Sequence, residues 1–413
     1  MSKPPFSLRL LMIATGVIEP IAPIILRRRL KSGKEHPTRW REKLGYPSAP
    51  RPNGPLVWMH GVGVGEVMAL RGLILMMREM RPDLQFLITS TALNSTTAWD
   101  RNPIEGAVHQ FLPIDLPNAM DRFLTHWKPD LAIWAEQDLW PAMVWRVAER
   151  GIGQAIVNAR LNNDAFAKRA KAAKLYGAAL ARIAIIDAQD DETAANLTKL
   201  GGRDVTVSGS LKPIAPPLSD WPNESAAIER GLNGRSLWLC ASSHPADEAI
   251  ALDAQTRRTG SLLVIAPRRP ERTDDIVAAA TERGLKVAIG ADSASLRDAD
   301  VIIDNSFGQM GLWYRLAEFA LIGGTFCDIE GHNPWEAVNL NCPVLHGPRT
   351  ANFAADYKML NGVGGALPIN GTKEIVALDP ATLSAQTRAA TALIAAERDR
   401  KLVLAARLVS LIN

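Results

Sequence analysis

Cysteine is scarce in this chain and offers no pairing. There are three, Cys240, Cys327 and Cys342, in 413 residues. An odd count without a CxxC spacing excludes a disulfide framework and fits a reducing compartment. The seven histidines are scattered, with no HExxH or similar spacing, so no metal site and no cofactor of that kind is expected. A net charge of +4 is too small to imply nucleic-acid binding, and no nucleic-acid partner is expected. No internal repeat or low-complexity segment is present. A clean membrane span is lacking too. Residues 6–26 are apolar, but Arg9, Glu19, Pro20 and Pro23 interrupt them, where a spanning helix wants about 20 mostly apolar residues. No small-residue cleavage site closes the stretch, so a secretory signal is not expected.

What is there reads as globular. Hydrophobic residues make up 47% and charged residues 22%, and the length is that of two domains. Directly after the apolar stretch come Arg27, Arg28, Arg29, Lys31, Lys34, Arg39, Arg41 and Lys43. An apolar segment beside a basic cluster suits an anionic membrane surface, so residues 1–45 are expected to associate with one. From residue 56 onward apolar runs alternate with helical patterns. Strands are expected at 56–59, 85–89, 108–112, 131–135, 155–157, 183–186 and 205–207, with helices at 65–80, 117–127, 140–149 and 165–180. The Pro-rich stretch 213–223 reads as a linker. Beyond it, strands are expected at 237–241, 262–266, 286–289, 301–303, 319–322 and 344–345. A last helix near 402–412, with apolar residues at helical spacing, is expected to pack back across the interdomain junction. The expected organisation is α/β: two doubly wound Rossmann-like domains, 46–212 and 224–413, with a ligand cleft at the carboxyl ends of the strands.

Several polar stretches follow these strands. Gly323-Gly324 closes an apolar run, and Asn333-Pro334 opens a helical pattern, with Asn as N-cap and Pro at the first position. A helix start of this kind offers N–H groups to a phosphate, and Glu336 is placed to meet a ribose. His60-Gly61-Val62-Gly63-Val64-Gly65-Glu66 resembles a dinucleotide loop, except that Glu66 stands where a glycine is needed. A carboxylate there would repel a pyrophosphate, so Glu66 reads better as a base, with the glycines leaving room for an acceptor hydroxyl. Glu136 ends another strand and would face the cleft. Lys212 closes the first half, where it can neutralise a carboxylate or phosphate. In the second half, residues 241–244, 266–272 and 305–309 each follow a strand and bring hydroxyls, guanidiniums and a glycine.

In order along the chain, these motifs resemble the bacterial 3-deoxy-D-manno-octulosonic acid (Kdo) transferases of lipopolysaccharide synthesis. The likeness rests on residues 39–45, Gly65-Glu66, residues 136–141, Asn158-Ala159-Arg160-Leu161, Gly209-Ser210-Leu211-Lys212, residues 267–272 and Gly331-His332-Asn333-Pro334-Trp335-Glu336. The resemblance implies a GT-B fold with a membrane-associated N-terminus at the cytoplasmic face of the bacterial inner membrane. It also implies inverting transfer of Kdo from CMP-Kdo, the donor, to a phosphorylated lipid A precursor (lipid IVA), without a metal. By that likeness Glu66 is the general base, and Glu136 and Lys212 stabilise the transition state. Pro267, Arg268, Phe307, Gly308, Gln309, Asn333, Pro334, Trp335 and Glu336 would hold CMP. The chain departs from the family's usual residues at Gly61 and Gly63, at Asn305 and Gln309, and at Arg269. The competing readings are a nucleotide-sugar 2-epimerase on the same architecture and a non-catalytic membrane-bound homologue.

Overall fold

The apolar runs become short strands covered on both faces, and they form two all-parallel sheets. The structure is a computed structural model and describes residues 4–412 except Asn102, Gln137, Asp138, Ser293, Ala294 and Phe307. The first sheet comprises β1 (Leu56–His60), β2 (Gln85–Ser90), β3 (Ala107–Phe111), β4 (Leu131–Ala135), β5 (Gly153–Ala159), β6 (Ile185–Ala188) and β7 (Val205–Val207). Its order is β3-β2-β1-β4-β5-β6-β7. The second comprises β8 (Leu237–Ser243), β9 (Leu262–Pro267), β10 (Val287–Ile289), β11 (Val301–Ile303), β12 (Ala320–Ile322), β13 (Val344–His346) and β14 (Leu367–Pro368), in the order β10-β11-β9-β8-β12-β13-β14. Every residue of β1, β4 and β9 is buried, as parallel strands flanked by helices require.

The strand order reverses between β1 and β4 in one sheet and between β8 and β12 in the other. At such a point the two crossovers leave in opposite directions, and the strand ends stay open for a ligand.

Each sheet has a core on both faces. Val57 and Met59 pack with Leu70, Leu73 and Ile74 of the helix Val64–Met80 on one side of the first sheet. Leu56 and Trp58 pack with Phe123, Trp127 and Val144 on the other. Six tryptophans, at 58, 127, 134, 238, 313 and 335, are fully buried. All six indole N–H groups donate to a side chain, as with Trp58 to Thr89 Oγ1 at 2.8 Å and Trp238 to Gln255 Oε1 at 2.8 Å. Each ring therefore contributes apolar area without stranding a donor.

Chain contacts divide the molecule into two units, Met1–Ala215 with Glu397–Asn413, and Pro216–Ala396. Residues 397–413, expected in the second domain, thus fold with the first. The reason is the helix Pro380–Val409, 30 residues long, of which the sequence pattern shows only the end. Its early residues Leu383, Gln386 and Ala390 are buried in the second unit, while Leu404, Ala405 and Leu408 join the core under β1. The apolar positions change partners along the helix, so no single stripe runs its length.

Other differences are local. The expected helix 165–180 is two helices, Asn163–Ala170 and Ala173–Leu180. The linker ends early, because Pro222 serves as a first helical residue of Pro222–Leu232. At the N-terminus, the helix Phe6–Ile18, a 3-10 turn and the helix Ala22–Lys31 run on without a break, and these 26 residues are long and apolar enough to cross a membrane. Pro20 and Pro23 do not break the run because each stands in a first turn, where a missing N–H costs nothing.

Candidate active site

In the first unit, β1 ends at His60 and the chain turns into the helix Val64–Met80 over three residues. Glu66 lies in the first turn, and its Oε2 accepts the Gly63 N–H at 2.9 Å. Gly61 is a glycine because a Cβ there would lie 2.8 Å from the Cβ of Glu66. Glu66 itself fills the space beside Gly61 and Gly63, which close the turn around it, whereas a Cβ at Gly65 would meet nothing within 4 Å.

Glu136 follows β4 across the reversal from His60. Its N–H still donates to Val157 O at 3.1 Å, but its backbone has turned left-handed, with φ 58°. On the next strand Asn158 does the same, with φ 56°. Non-glycine residues take this region rarely, and Asn more readily than most. The turn points the buried Asn158 amide at two neighbours. Its Nδ2 donates to Glu136 Oε1 at 3.3 Å, and its Oδ1 accepts the Leu211 N–H at 3.1 Å. Lys212 comes next and opens a single 3-10 turn, its N–H held by Ser210 Oγ at 3.2 Å. Asn158 therefore ties the carboxylate-bearing strand end to the lysine-bearing loop.

In the second unit, His244 follows β8 and the loop 323–334 follows β12, again on either side of the reversal. Asp247, fully buried, accepts the N–H groups of His244 (3.0 Å), Gly324 (2.7 Å) and Phe326 (3.2 Å). One carboxylate thus pins both sides of the reversal. Gly323 is required there, since a Cβ would meet the Ser242 carbonyl oxygen at 2.3 Å. Burial raises the Asp247 carboxyl, and the three N–H donors counter it.

The rings of His244 and His332 lie 5.2 Å apart, tilted by 14°, with their Nε2 atoms 2.9 Å from each other. One nitrogen must carry a hydrogen and the other accept it. Burial pushes His332 down to about 4, and His244 and Arg268 push the same way. His244 is also lowered, by burial first and by Arg268 and Arg269, against the pull of Asp247 and Glu248. Burial raises Glu336, while Asn333 and Arg268 draw it back. Arg268, exposed at the end of β9, therefore faces His244, His332 and Glu336 together.

The sequence-expected donor residues fall into three groups. Arg268, Asn333 and Glu336 converge on this cluster. Pro267, Pro334 and Trp335 are buried, and Trp335 spends its indole N–H on Asp356 Oδ1 at 2.7 Å, so these three frame the site rather than line it. Gly308 (φ 94°) and Gln309 stand after β11, next to β9 in the sheet. Phe307 lies outside the described residues.

The helix expected from Asn333 is one turn, Trp335–Val338, and Asn333 Oδ1 accepts the Trp335 N–H at 3.1 Å. A left-handed Asn341 and then Pro343 stop it. Four residues make a poor dipole, so a phosphate there would rely on Arg268.

Asn158, Asp247 and His332 received no role from sequence. Asp247 had a signal, an acid three residues after His244 with Pro at the first helical position, the spacing of a reciprocal helix cap. Among the described residues no group of three or more His, Cys, Asp or Glu is placed to hold a metal ion.

Two doubly wound parallel sheets in one chain, each with polar residues gathered where the strand order reverses, define a GT-B architecture of the kind used by sugar-nucleotide enzymes. Residues 38–214 match the family model described as 3-deoxy-D-manno-octulosonic-acid transferase (kdotransferase). The chain is 29% identical over 382 residues to a probable 3-deoxy-D-manno-octulosonic acid transferase, mitochondrial, of Arabidopsis thaliana, covering 89% of this chain and 85% of that protein. It is also 29% identical over 350 residues to the 3-deoxy-D-manno-octulosonic acid transferase of Rickettsia bellii, covering 83% and 82%. The resemblance to the Kdo transferases holds along most of the chain, and the family indicates a glycosyltransferase. Among solved structures, a putative UDP-N-acetylglucosamine 2-epimerase from Listeria monocytogenes aligns with a TM-score of 0.51 at 13% identity, over 81% of this chain and 91% of that one. That likeness shows the fold alone.

Proposed function

We propose that this protein transfers Kdo from CMP-Kdo to a phosphorylated lipid A precursor (lipid IVA) at the cytoplasmic face of a bacterial inner membrane. The supporting observation is that Glu66, Glu136 and Lys212 all fall within the family-matched stretch 38–214. Glu66 and Glu136 follow the two strands where the first sheet reverses, and Asn158 ties Glu136 to the Lys212 loop.

Glu66 takes the proton from the acceptor hydroxyl as its oxygen bonds to the anomeric carbon of Kdo. The bond from that carbon to the CMP phosphate breaks, and the electron pair leaves with the phosphate. The configuration inverts. Lys212 brings positive charge to the sugar carboxylate or the departing phosphate, and Glu136 offsets the positive charge that builds on the sugar ring.

In the second unit, Arg268 holds the phosphate and Asn333 and Glu336 meet the ribose. Pro267, Pro334 and Trp335 shape this wall, and Gly308 and Gln309 are assigned to the nucleotide. Cationic side chains are proposed to meet the charge on the leaving group, so the reaction is proposed to need no metal.

A transferase releases CMP only when an acceptor is present, whereas a 2-epimerase acts on its sugar nucleotide alone. With CMP-Kdo as donor, CMP release is expected to depend on added lipid A precursor and to be unchanged by EDTA. Equal release without acceptor would reject the transfer, and loss of activity in EDTA would reject the metal-free step.

A further inference from the structure

Lys401 is a fully buried lysine on the helix Pro380–Val409, in the part of the chain that folds with the first unit. An ammonium carries three hydrogens, and the Nζ of Lys401 finds three oxygens on one loop. It donates to Ser208 O, to Ser208 Oγ at 2.9 Å and to Gly209 O at 2.9 Å. Ser208 Oγ passes its own hydrogen to Asp187 Oδ2 at 2.7 Å, so the grip reaches β6. One turn back on the helix stands Glu397, also buried, its Oε1 held by Arg400 at 2.6 Å. Gly209 (φ 87°) passes between them, and a Cβ there would lie 3.4 Å from Glu397 Oε2 and 3.6 Å from Lys401 Nζ.

The same loop is held at its far end by Asn158, through the Leu211 N–H. Between these two anchors the chain has little freedom, and Lys212 is the next residue. Burying an ammonium is expensive, and an apolar side chain of similar volume would usually serve packing as well or better. Here all three donors are spent on a single short loop, which β6 holds through the Gly209 N–H to Ala188 O at 3.4 Å and Ser208 Oγ to Asp187 at 2.7 Å.

We propose that Lys401 is a positioning residue for the transfer reaction, fixing the backbone of residues 208–212 and so the place of the Lys212 ammonium. The proposal rests on the reading of Lys212 as a transition-state group.

Titration supports the geometry. Burial pushes Lys401 down to about 8, against the pull of Asp187 and Glu397 and with the push of Arg400. Above that pH the amine loses a proton and one of its three donors. Stability moves the other way. Between pH 8 and the ordinary lysine value near 10.5 the unfolded chain holds more protons than the folded one, so this group's contribution to stability rises with pH. A fall in kcat above pH 8 with no fall in stability from this residue is therefore the signature of positioning.

The test is a double-mutant cycle of Lys401→Met and Lys212→Met in the full chain, with kcat and donor KM measured from pH 6.5 to 9.5. Misplacement by about 1 Å costs on the order of a hundredfold. Lys401→Met is thus expected to lower kcat by about that factor, leave donor KM within about twofold, and lose the alkaline limb seen in the wild type. The double variant is expected to be no slower than Lys212→Met alone, because Lys401 acts through Lys212. Unchanged kcat in Lys401→Met, or losses that multiply in the double variant, would overturn the proposal. If Lys401→Met does not fold, Ser208→Ala, which removes one acceptor and leaves the charge in place, runs the same cycle with the same kcat criteria, the alkaline limb being kept. Full activity in Lys212→Met would instead remove the reading of Lys212, and the proposal with it.

Discussion

Asn158 shows what a single side chain does in this molecule. It is buried, left-handed and bonded on both ends of its amide, to Glu136 and to the backbone of residue 211. Alanine there removes an acceptor from a buried N–H and places a Cβ residue without side-chain compensation in a region that only Asn, Asp and Gly visit readily. Asn158→Ala is expected to cost about 1–3 kcal/mol of stability from the orphaned amide alone, read as a lower denaturant midpoint. It should also lower kcat, since both Glu136 and the Lys212 loop lose a tether. A variant with lower stability and full kcat would show that the tether has no part in the reaction.

The residues that organise the two sites were also the least legible in the sequence. Asp247 binds a backbone N–H 77 residues away, Asn158 one 53 away, and Lys401 a loop 193 away. No local pattern encodes such contacts. The positions of Glu66 and Glu136 were legible because local patterns mark them, a helix start after a Gly-rich loop for one and the end of a buried strand for the other. The space read beside Gly61 and Gly63 was misjudged for the same reason: sequence shows that a Cβ is missing, not which neighbour fills the gap.

Among the elements, the N-terminal segment has the most definite consequence. One side of it is docked: Leu8 packs on Ala142 and Trp145, and Ala22 and Leu26 on Leu116 and Ala119. Glu19 accepts the N–H groups of Asn118 at 3.2 Å and Ala119 at 3.0 Å, capping the helix Pro117–Trp127. The other side is an exposed stripe of Phe6, Leu10, Ile13, Val17, Ile21 and Ile24, spaced three or four residues apart as one helical face demands.

Charge is less available than the basic cluster suggests. Arg29 and Lys43 pair with the buried Glu35, and Arg39 pairs with the buried Glu42. Arg27, Arg28, Lys31, Lys34 and Arg41 stay exposed. A segment held by one face and apolar on the other is suited to lie in the headgroup region rather than to cross the bilayer. Cosedimentation with vesicles containing anionic lipid is expected, and Ile13→Glu with Val17→Glu should abolish it while leaving the fold intact. Binding that survives both charges would contradict the in-plane arrangement.

Strands were the most legible elements, because parallel strands covered on both faces appear as uninterrupted apolar runs. The exception is β14, only two residues long and containing Pro368. Helices were read at Pro117 and Pro141, but those that start at Pro222 and Pro245, and the Asp190-capped Asp191–Lys199, were not. The helix Pro380–Val409 escaped because its buried positions serve two cores in turn.

At the scale of the whole molecule, the two seven-stranded parallel sheets differ in strand order, since β11 lies between β10 and β9, yet polar residues sit at the central reversal in both. Hydrophobic burial builds each unit, and a buried carboxamide or carboxylate then holds the strand ends in place. The proposed division of labour is an acceptor-side unit that carries Glu66 as base and a donor-side unit that carries Arg268, His244 and His332. The 2-epimerase likeness shows that this architecture alone does not choose the reaction. In the proposed reaction the chemistry rests on Glu66, in the first turn of the helix after β1.

The most direct measurement is therefore transfer from CMP-Kdo to a lipid A precursor by the wild-type chain and by Glu66→Gln, with the acceptor resolved by mass. The wild type should add Kdo to the acceptor, and the variant should do so more slowly by about 10²–10⁴-fold, the range expected for loss of a general base. No Kdo-bearing acceptor from the wild type would contradict the proposed reaction, and equal rates from both proteins would contradict the role of Glu66.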